Sequence, residues 1–328
     1  MVVAGMTALV SGLSVFVNSY GVHSIAAPSV YTTAKNLVAT LVLAAAAVVA
    51  WSIRSRGAAS APARFLTVAR APGSPRASTG VRSWGPARWL GLAYVGVVGG
   101  GIAFVLFFDG LADTTATPAA FWHDTLVVWV AVLALPFLRE RLTWWNVVAI
   151  AVLVAGQISI AGGVGHLAAD RGELLVLGAT VLWAVEVVVA KILLRDVAPA
   201  AIALVRMGIG GVALVAYLIA TGTFHVLASF DAKQVGWALL TGLLLAAYVG
   251  TWMTALARAR AVDVTSVLVA SALVTALLQA AAGTTSLAPQ ALGLALVVAG
   301  AGVVLIAGLR RDTLYRREAA YRRDAVGG

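Results

Sequence analysis

The sequence predicts an all-α integral membrane protein with ten transmembrane helices arranged as two inverted five-helix repeats. Three observations carry this prediction. Of the 328 residues, 61% are hydrophobic and only 11% are charged; the apolar residues fall into ten long stretches; and segments of the two halves match each other. In soluble domains about 45 to 50% of residues are apolar, so the excess is expected to face lipid.

Each apolar stretch is close to the length of about 20 residues that a transmembrane helix needs. The first stretch is retained as a helix and not read as a signal peptide, because no basic residue precedes it and Ser11, Ser14 and Asn18 interrupt it. The predicted spans are 2–21, 28–53, 87–108, 116–138, 143–161, 173–194, 198–220, 234–256, 262–282 and 289–309.

The distribution of Lys and Arg predicts the orientation, because short, positively charged loops remain in the cytoplasm. Seven arginines lie in the 54–88 connection, six follow Leu309, and pairs follow the fourth, sixth and eighth spans. Both termini are therefore predicted to be cytoplasmic, in a multi-pass protein of a bacterial cytoplasmic (inner) membrane.

The net charge of +10 is read as a topology signal. Nucleic-acid binding is not expected, because no folded basic module lies outside the membrane. The 54–88 connection is rich in Arg, Pro, Ser and Gly, which predicts a disordered loop attracted to anionic lipids. Residues 310–328 are predicted to form a basic cytoplasmic tail with the same lipid preference.

An enzyme is not expected, and neither is a cofactor or a metal. The chain has no Cys and only four scattered His. It contains none of the H-E-x-x-H, G-x-S-x-G or nucleotide-binding motifs, which disfavours hydrolytic chemistry and direct ATP drive.

An internal repeat divides the chain into halves. Pro28 matches Pro199 and Lys35 matches Arg206 at one offset, so a cation follows a proline by seven residues in the second span of each half. Residues 152–156 likewise match 296–300. Five spans per half is an odd number, so the second half enters the membrane from the opposite side, as in transporters with inverted repeats.

Several short motifs resemble those of the EamA-type members of the drug/metabolite transporter superfamily. They are Leu182-Trp183-Ala184, the proline-then-cation pattern, the run from Leu138 to Thr143, and the Val-Ala-Gly runs of the fifth and tenth spans. The resemblance covers residues 1–309 and implies two repeats, 1–166 and 167–309. It also implies a carrier that moves small metabolites or drugs outward through a cavity between spans one to four and six to nine. Gly283 and Thr284 stand where the family has a glutamate.

Ionisable side chains inside spans are costly and therefore need a partner, water or a function. Lys35 is interpreted as a substrate anchor, a lysine that snorkels to the headgroups, or half of a structural pair. Glu186 and Asp124 are candidates for proton coupling, with an ion pair to Arg206 as the alternative for Glu186. His123 is a candidate proton relay or a bridge between helices.

Polar and aromatic residues at helical spacing extend the candidate substrate cavity. Asp263, at the mouth of the ninth span, is interpreted instead as half of a surface salt bridge with Arg258 or Arg260. The cavity candidates are Ser14, Asn18, Tyr31, Tyr248, Trp252, Ser271, Thr275 and Gln279.

These features favour a secondary active transporter that exports small polar metabolites by alternating access with proton coupling. Charges of both signs in one cavity favour a zwitterionic substrate such as an amino acid. A passive exchanger or uniporter, and a membrane receptor or assembly protein without transport, stay open as alternatives. The oligomeric state is not readable from the sequence.

Overall fold

The computed structural model describes residues 1–327 apart from 26, 56–83, 115, 164–168 and 285. Most of the 54–88 connection and the side chains of the tail beyond residue 310 lie outside the described residues, and with them the predicted lipid contacts. The described chain is helical and contains no strand, which confirms the predicted fold class.

Ten helices, α1 to α10, make up the described chain together with short helical turns at 22–24, 225–228 and 288–290. The helix α3 contains a π-helical stretch, Tyr94–Ile102, and α4 ends in another, Ala134–Leu138. The helices are Val2–Gly21 (α1), Pro28–Ser55 (α2), Pro86–Asp113 (α3), Ala116–Asp124 followed by Leu126–Leu133 and Ala134–Leu138 (α4), Trp144–Ile160 (α5), Arg171–Leu193 (α6), Pro199–Ala220 (α7), Ala232–Arg258 (α8), Ala261–Leu268 followed by Ser271–Ala281 (α9) and Ala291–Gly327 (α10).

Nine of these helices in the described chain are long and apolar enough to cross a membrane. The exception is α5, which has 17 residues and so lies at the lower limit of about 17 to 25 residues for a spanning helix. The predicted count of ten spans therefore stays a prediction. The last helix continues to Gly327, well past the predicted end of its span at residue 309.

Local signals set where the helices begin. Pro28 and Pro199 are the first residues of α2 and α7, positions that suit proline because its fixed φ and missing N–H cost nothing there. Asp170 and Asp231 cap α6 and α8 by accepting hydrogen bonds from backbone N–H groups at the third helical position. Proline or aspartate thus marks the start of four of these helices.

The helix packing has the two-fold pattern that a five-helix repeat requires. Exchanging the two halves leaves the principal helix pairs unchanged: α1 packs on α8 and α9 as α6 packs on α3 and α4, and α2 packs on α8 as α7 packs on α3. The pairs α2–α7 and α5–α10 map onto themselves. The repeat is therefore present in the structure as well as in the sequence. The helices α2 and α7 lie at the junction of the two halves.

Two glycines bring the matched cations into the same kind of environment. A Cβ atom on Gly242 of α8 would meet Val38 and the carbonyl oxygen of Lys35, and a Cβ on Gly100 of α3 would overlap the carbonyl oxygen of Arg206. Each cation-bearing helix thus lies directly against the third helix of the other half. Only glycine permits this approach of two backbones.

We expect Gly100→Ala to lower the free energy of unfolding by about 1 to 3 kcal/mol, because the added methyl group overlaps a backbone atom that cannot rotate away. The matched control is Gly178→Ala in α6, where an added Cβ has nothing within 4 Å and alanine favours the helix by up to about 1 kcal/mol. Thermal unfolding of the two purified variants measures the difference. Equal unfolding temperatures would contradict the close packing of α3 on α7.

Candidate functional site

Lys35 lies on α2 with only 6% of its surface exposed. Its Nζ donates to Oδ1 of Asn18, 3.1 Å away on α1, and lies 5.2 Å and 4.9 Å from the ring centroids of Tyr31 and Phe108. Tyr31 donates to the same Asn18 oxygen at 2.7 Å. Of the three interpretations of Lys35, snorkelling to the headgroups is wrong, because its ammonium group is enclosed by protein.

Arg206 and Glu186 form a buried ion pair with two hydrogen bonds. Nε of Arg206 donates to Oε1 of Glu186 at 2.5 Å and Nη2 donates to Oε2 at 3.2 Å. The same Nη2 lies 3.4 Å from the carbonyl oxygen of Gly99, and the guanidinium lies 5.4 Å from the ring of Phe104. The alternative interpretation of Glu186, an ion pair with Arg206, is therefore confirmed.

Aromatic rings join the two charged positions. Phe104 and Phe108 stand one turn apart on α3 with parallel rings, so one ring faces Arg206 and the other faces Lys35. Trp183 packs its edge against Phe104 and donates its indole N–H to the carbonyl oxygen of Gly99 at 3.0 Å. Trp183, the tryptophan of the Leu-Trp-Ala motif, thus holds in place the aromatic rings that lie between Arg206 and Lys35.

His123 and Asp124 are adjacent on α4, and their side chains have different neighbours. The His123 ring packs at 5.5 Å and 5.4 Å on Phe107 and Trp183, and its Nδ1 is 3.6 Å from Oδ1 of Asp124. Asp124, Gln157 of α5 and Val269 of α9 lie around a small cavity. Nε2 of Gln157 is buried with no hydrogen-bond partner in the described protein. The spacing of residues in the sequence predicted neither the contact between Asp124 and His123 nor the position of Asp124 beside α5.

The polar cavity candidates of α1 and those of α9 lie on helices that contact each other. Thr275 of α9 donates to the carbonyl oxygen of Gly12 on α1 at 3.0 Å, and a Cβ on Gly12 would meet the carbonyl oxygen of Ser271. Ser14 and Asn18 bond each other within α1, and Gln279 is half-buried near the end of α9. Thr275 and the close approach at Gly12 thus join α1 to α9, and Asn18 is the one of these candidates that bonds Lys35.

Tyr248 and Trp252 of α8 stack one turn apart, with ring centroids 6.2 Å from each other. Tyr248 interacts electrostatically with Arg206 and Glu186, so the structure brings this member of the predicted aromatic pair to the ion pair of the second half. Thr32 and Asn36, which the helical spacing puts on or near the face of Lys35, are buried on α2. Oγ1 of Thr32 and Oδ1 of Asn36 have no partner within the described protein.

A network that we call the latch links helices at the end of the bundle that carries the α4–α5, α6–α7 and α8–α9 connections, here named the basic end. The latch consists of Glu140, Asn146, Lys191, Arg260 and Asp263. Asp263 accepts from Nε and Nη2 of Arg260 at 2.9 Å and 2.7 Å and from Nδ2 of Asn146 at 3.2 Å. The predicted surface salt bridge at Asp263 is wrong in its location, because Asp263 is only 3% exposed.

The other two members of the latch bind helix ends. Glu140 accepts from the N–H of Ala261 at 2.8 Å and so caps the start of α9. Lys191 donates to the carbonyl oxygens of Leu256 and Ala259 at 2.5 Å and 2.6 Å, at the end of α8. Burial opposes the charge on Arg260, but the hydrogen bonds and attraction of Asp263 outweigh it and raise the pKa of this guanidinium.

The opposite end of the bundle has different contacts. Arg171 pairs with Asp113 at 2.5 Å on an exposed surface, Trp122 donates to Glu173 at 2.8 Å, and Gln234 donates to the carbonyl oxygen of Ser24 at 3.1 Å. The segment 282–290 between α9 and α10 contains no acidic residue. Glu140 therefore has no equivalent in the second half.

Comparison with known proteins agrees with this architecture. The model of the EamA-like transporter family matches residues 1–162 and 170–306, one match to each half. A solved crystal structure of a protein matches with a TM-score of 0.65 and 18% identity, over 93% of this chain and 98% of its own; at this identity the likeness shows the fold alone. No curated protein matches. The resemblance drawn from the short motifs is confirmed: the chain is a multi-pass membrane protein that belongs to the EamA-like transporter family.

Proposed function

We propose that the protein is a secondary active carrier that exports small polar metabolites, amino acids among them, by alternating access coupled to protons. We place it in a bacterial inner membrane with both termini in the cytoplasm. The observation that carries the proposal is Lys35, a buried cation without a carboxylate partner in the described chain. Inside the membrane such a charge needs a functional reason.

The two-fold helix packing supports alternating access. Lys35 and Arg206 lie on α2 and α7, which pack on each other at the junction of the halves. Rocking one half against the other would expose this junction to each side of the membrane in turn. The latch would close the cytoplasmic side while the junction faces outward.

Asp124 is the better candidate for the coupled proton. Both oxygens of Glu186 already bind Arg206, so a protonated Glu186 would leave a buried arginine uncompensated. Asp124 instead keeps 17% of its side chain exposed and has His123 within 3.6 Å. A partly exposed carboxyl group can bind and release a proton without breaking a helix contact.

The test uses purified protein in liposomes that contain a pH dye, with an imposed pH gradient and added pools of amino acids and related metabolites. We expect one pool to drive proton movement and Asp124→Asn to reduce it at least about tenfold, as expected for loss of an acid–base group. The matched control is Asp113→Asn, which removes an exposed carboxylate and should leave the proton flux unchanged.

Each other result has a defined meaning. Proton movement that persists in Asp124→Asn would remove the coupling role of Asp124. Labelled exchange without proton movement would replace the proposal by a passive exchanger, and the absence of any flux would favour a receptor or assembly protein.

A further inference from the structure

We propose that the Lys35 site takes an organic monoanion: one carboxylate on an apolar body, with no ammonium group. This inference rests on the proposed carrier function and narrows its substrates from small metabolites that include amino acids to carboxylates without an ammonium group. It depends on how many donors of Lys35 are used, on where the nearby acidic groups are engaged, and on which neighbours have free polar atoms.

The ammonium group of Lys35 has N–H donors that no described residue accepts. An ammonium group has three N–H donors and no acceptor, and Asn18 Oδ1 is the one oxygen within hydrogen-bond distance among the described residues. Tyr31 shares that oxygen, while the Asn18 amide nitrogen is engaged with Ser14. The rings of Tyr31 and Phe108 contact the ammonium group but supply no acceptor oxygen. Two oxygen atoms from a ligand would complete the coordination, and a carboxylate supplies two.

The acidic groups that could receive a ligand ammonium are engaged elsewhere. Glu186 is 3% exposed and uses both oxygens on Arg206. Asp124 lies on α4 beside His123, and Asp109, next to Phe108 on α3, is hydrogen-bonded to Tyr217 of α7. The contacts of Lys35 are with Asn18, Tyr31 and Phe108, and no acidic side chain among the described residues lies within bonding distance of its ammonium group. The Lys35 site therefore has one positive charge that no described acid neutralises, so a monoanion fits it better than a zwitterion does.

Thr32 provides a second donor. Its hydroxyl is buried and unpartnered, and it lies one turn before Lys35 on the same helix. Thr33, its neighbour, is equally buried but donates to the carbonyl oxygen of Ser29 at 2.8 Å. The second oxygen of a carboxylate held by Lys35 can accept a hydrogen bond from the free Thr32 hydroxyl. The rings of Tyr31 and Phe108 suit an apolar body on the rest of the ligand.

The experiment measures binding to the purified full chain of three compounds that share a phenyl ring on a short carbon chain. They are the anion 3-phenylpropanoate, the zwitterion phenylalanine and the cation 2-phenylethylamine. Binding is followed by tryptophan fluorescence and by the rise in unfolding temperature. We expect 3-phenylpropanoate to bind at least about tenfold more tightly than the other two. Lys35→Gln should abolish this preference, and Thr32→Val should weaken carboxylate binding several-fold. Lys233→Gln, on an exposed lysine, and Thr33→Val are the matched controls and should leave it unchanged.

The outcomes separate the inference from the carrier function. Phenylalanine binding as tightly as 3-phenylpropanoate, or a preference that survives both Lys35→Gln and Thr32→Val in folded protein, would overturn the monoanion assignment while a carrier of zwitterions stands. Binding of none of the three compounds would also overturn it. Tight binding of 3-phenylpropanoate without protein-dependent flux in liposomes would leave the ligand class standing and overturn the carrier function.

Discussion

Glu186→Gln is expected to lower the free energy of unfolding by about 3 to 5 kcal/mol, the cost of breaking a buried pair and leaving its partner charged. Arg206 is 7% exposed and bonds both oxygens of Glu186. A neutral amide cannot balance the guanidinium charge, and arginine cannot lose its proton to adapt. The unfolding temperature of the purified variant measures the loss.

Two controls define what this loss means. The double variant Glu186→Leu/Arg206→Met removes both charges and should recover most of the stability, because a buried pair replaced by packed apolar residues is often neutral. Asp113→Asn breaks the exposed pair with Arg171 and should cost less than about 1 kcal/mol. If Glu186→Gln is no less stable than Asp113→Asn, the buried pair is not a structural element.

Flux in the same variants separates structure from coupling. If the double variant is stable and still transports with proton movement, the pair serves only to join α6 and α7. If it is stable but uncoupled, Glu186 takes part in proton transfer and Asp124 is not sufficient.

Most of the fold was predictable because a membrane helix depends on composition and length, which are local properties. Nine predicted spans coincide with helices that are long enough to cross a membrane, and the proline and cation at one offset located the repeat. The π-helical stretch of α3 was not predictable, because its form depends on packing: Gly99 and Gly100 lie directly against Glu186 and Arg206.

The candidate site was predictable only by residue type. Sequence placed Lys35, Glu186 and Arg206 inside spans, but the pairing of Glu186 with Arg206, and of Lys35 with Asn18, depends on which helices adjoin. Asp263 shows the same limit, since its position at a helix end suggested the surface, whereas the structure buries it and bonds it to Asn146 of α5. Phe104 and Phe108 gave no signal beyond ordinary apolar spacing.

The remaining prediction with a large expected effect concerns the latch. Asp263→Asn should open the basic end, because a neutral amide loses the charge that holds Arg260 and Asn146. The chain has no native Cys, so a single cysteine reports accessibility without interference. Ser266→Cys, fully buried one turn inside Asp263, should react with a membrane-impermeant maleimide at least about tenfold faster in the Asp263→Asn background, which corresponds to about 1.4 kcal/mol.

The direction of the change tests alternating access itself. If opening one end closes the other, Gln279→Cys, half-buried at the opposite end of α9, should react more slowly in the same background. Arg258→Cys, exposed at the basic end, should react equally fast with and without Asp263→Asn, and its labelling from only one side of sealed vesicles identifies the side on which the latch lies. Faster labelling at both 266 and 279 would indicate general loosening and not a gate. An unchanged rate at 266 would mean that other contacts keep the basic end closed when the latch is broken.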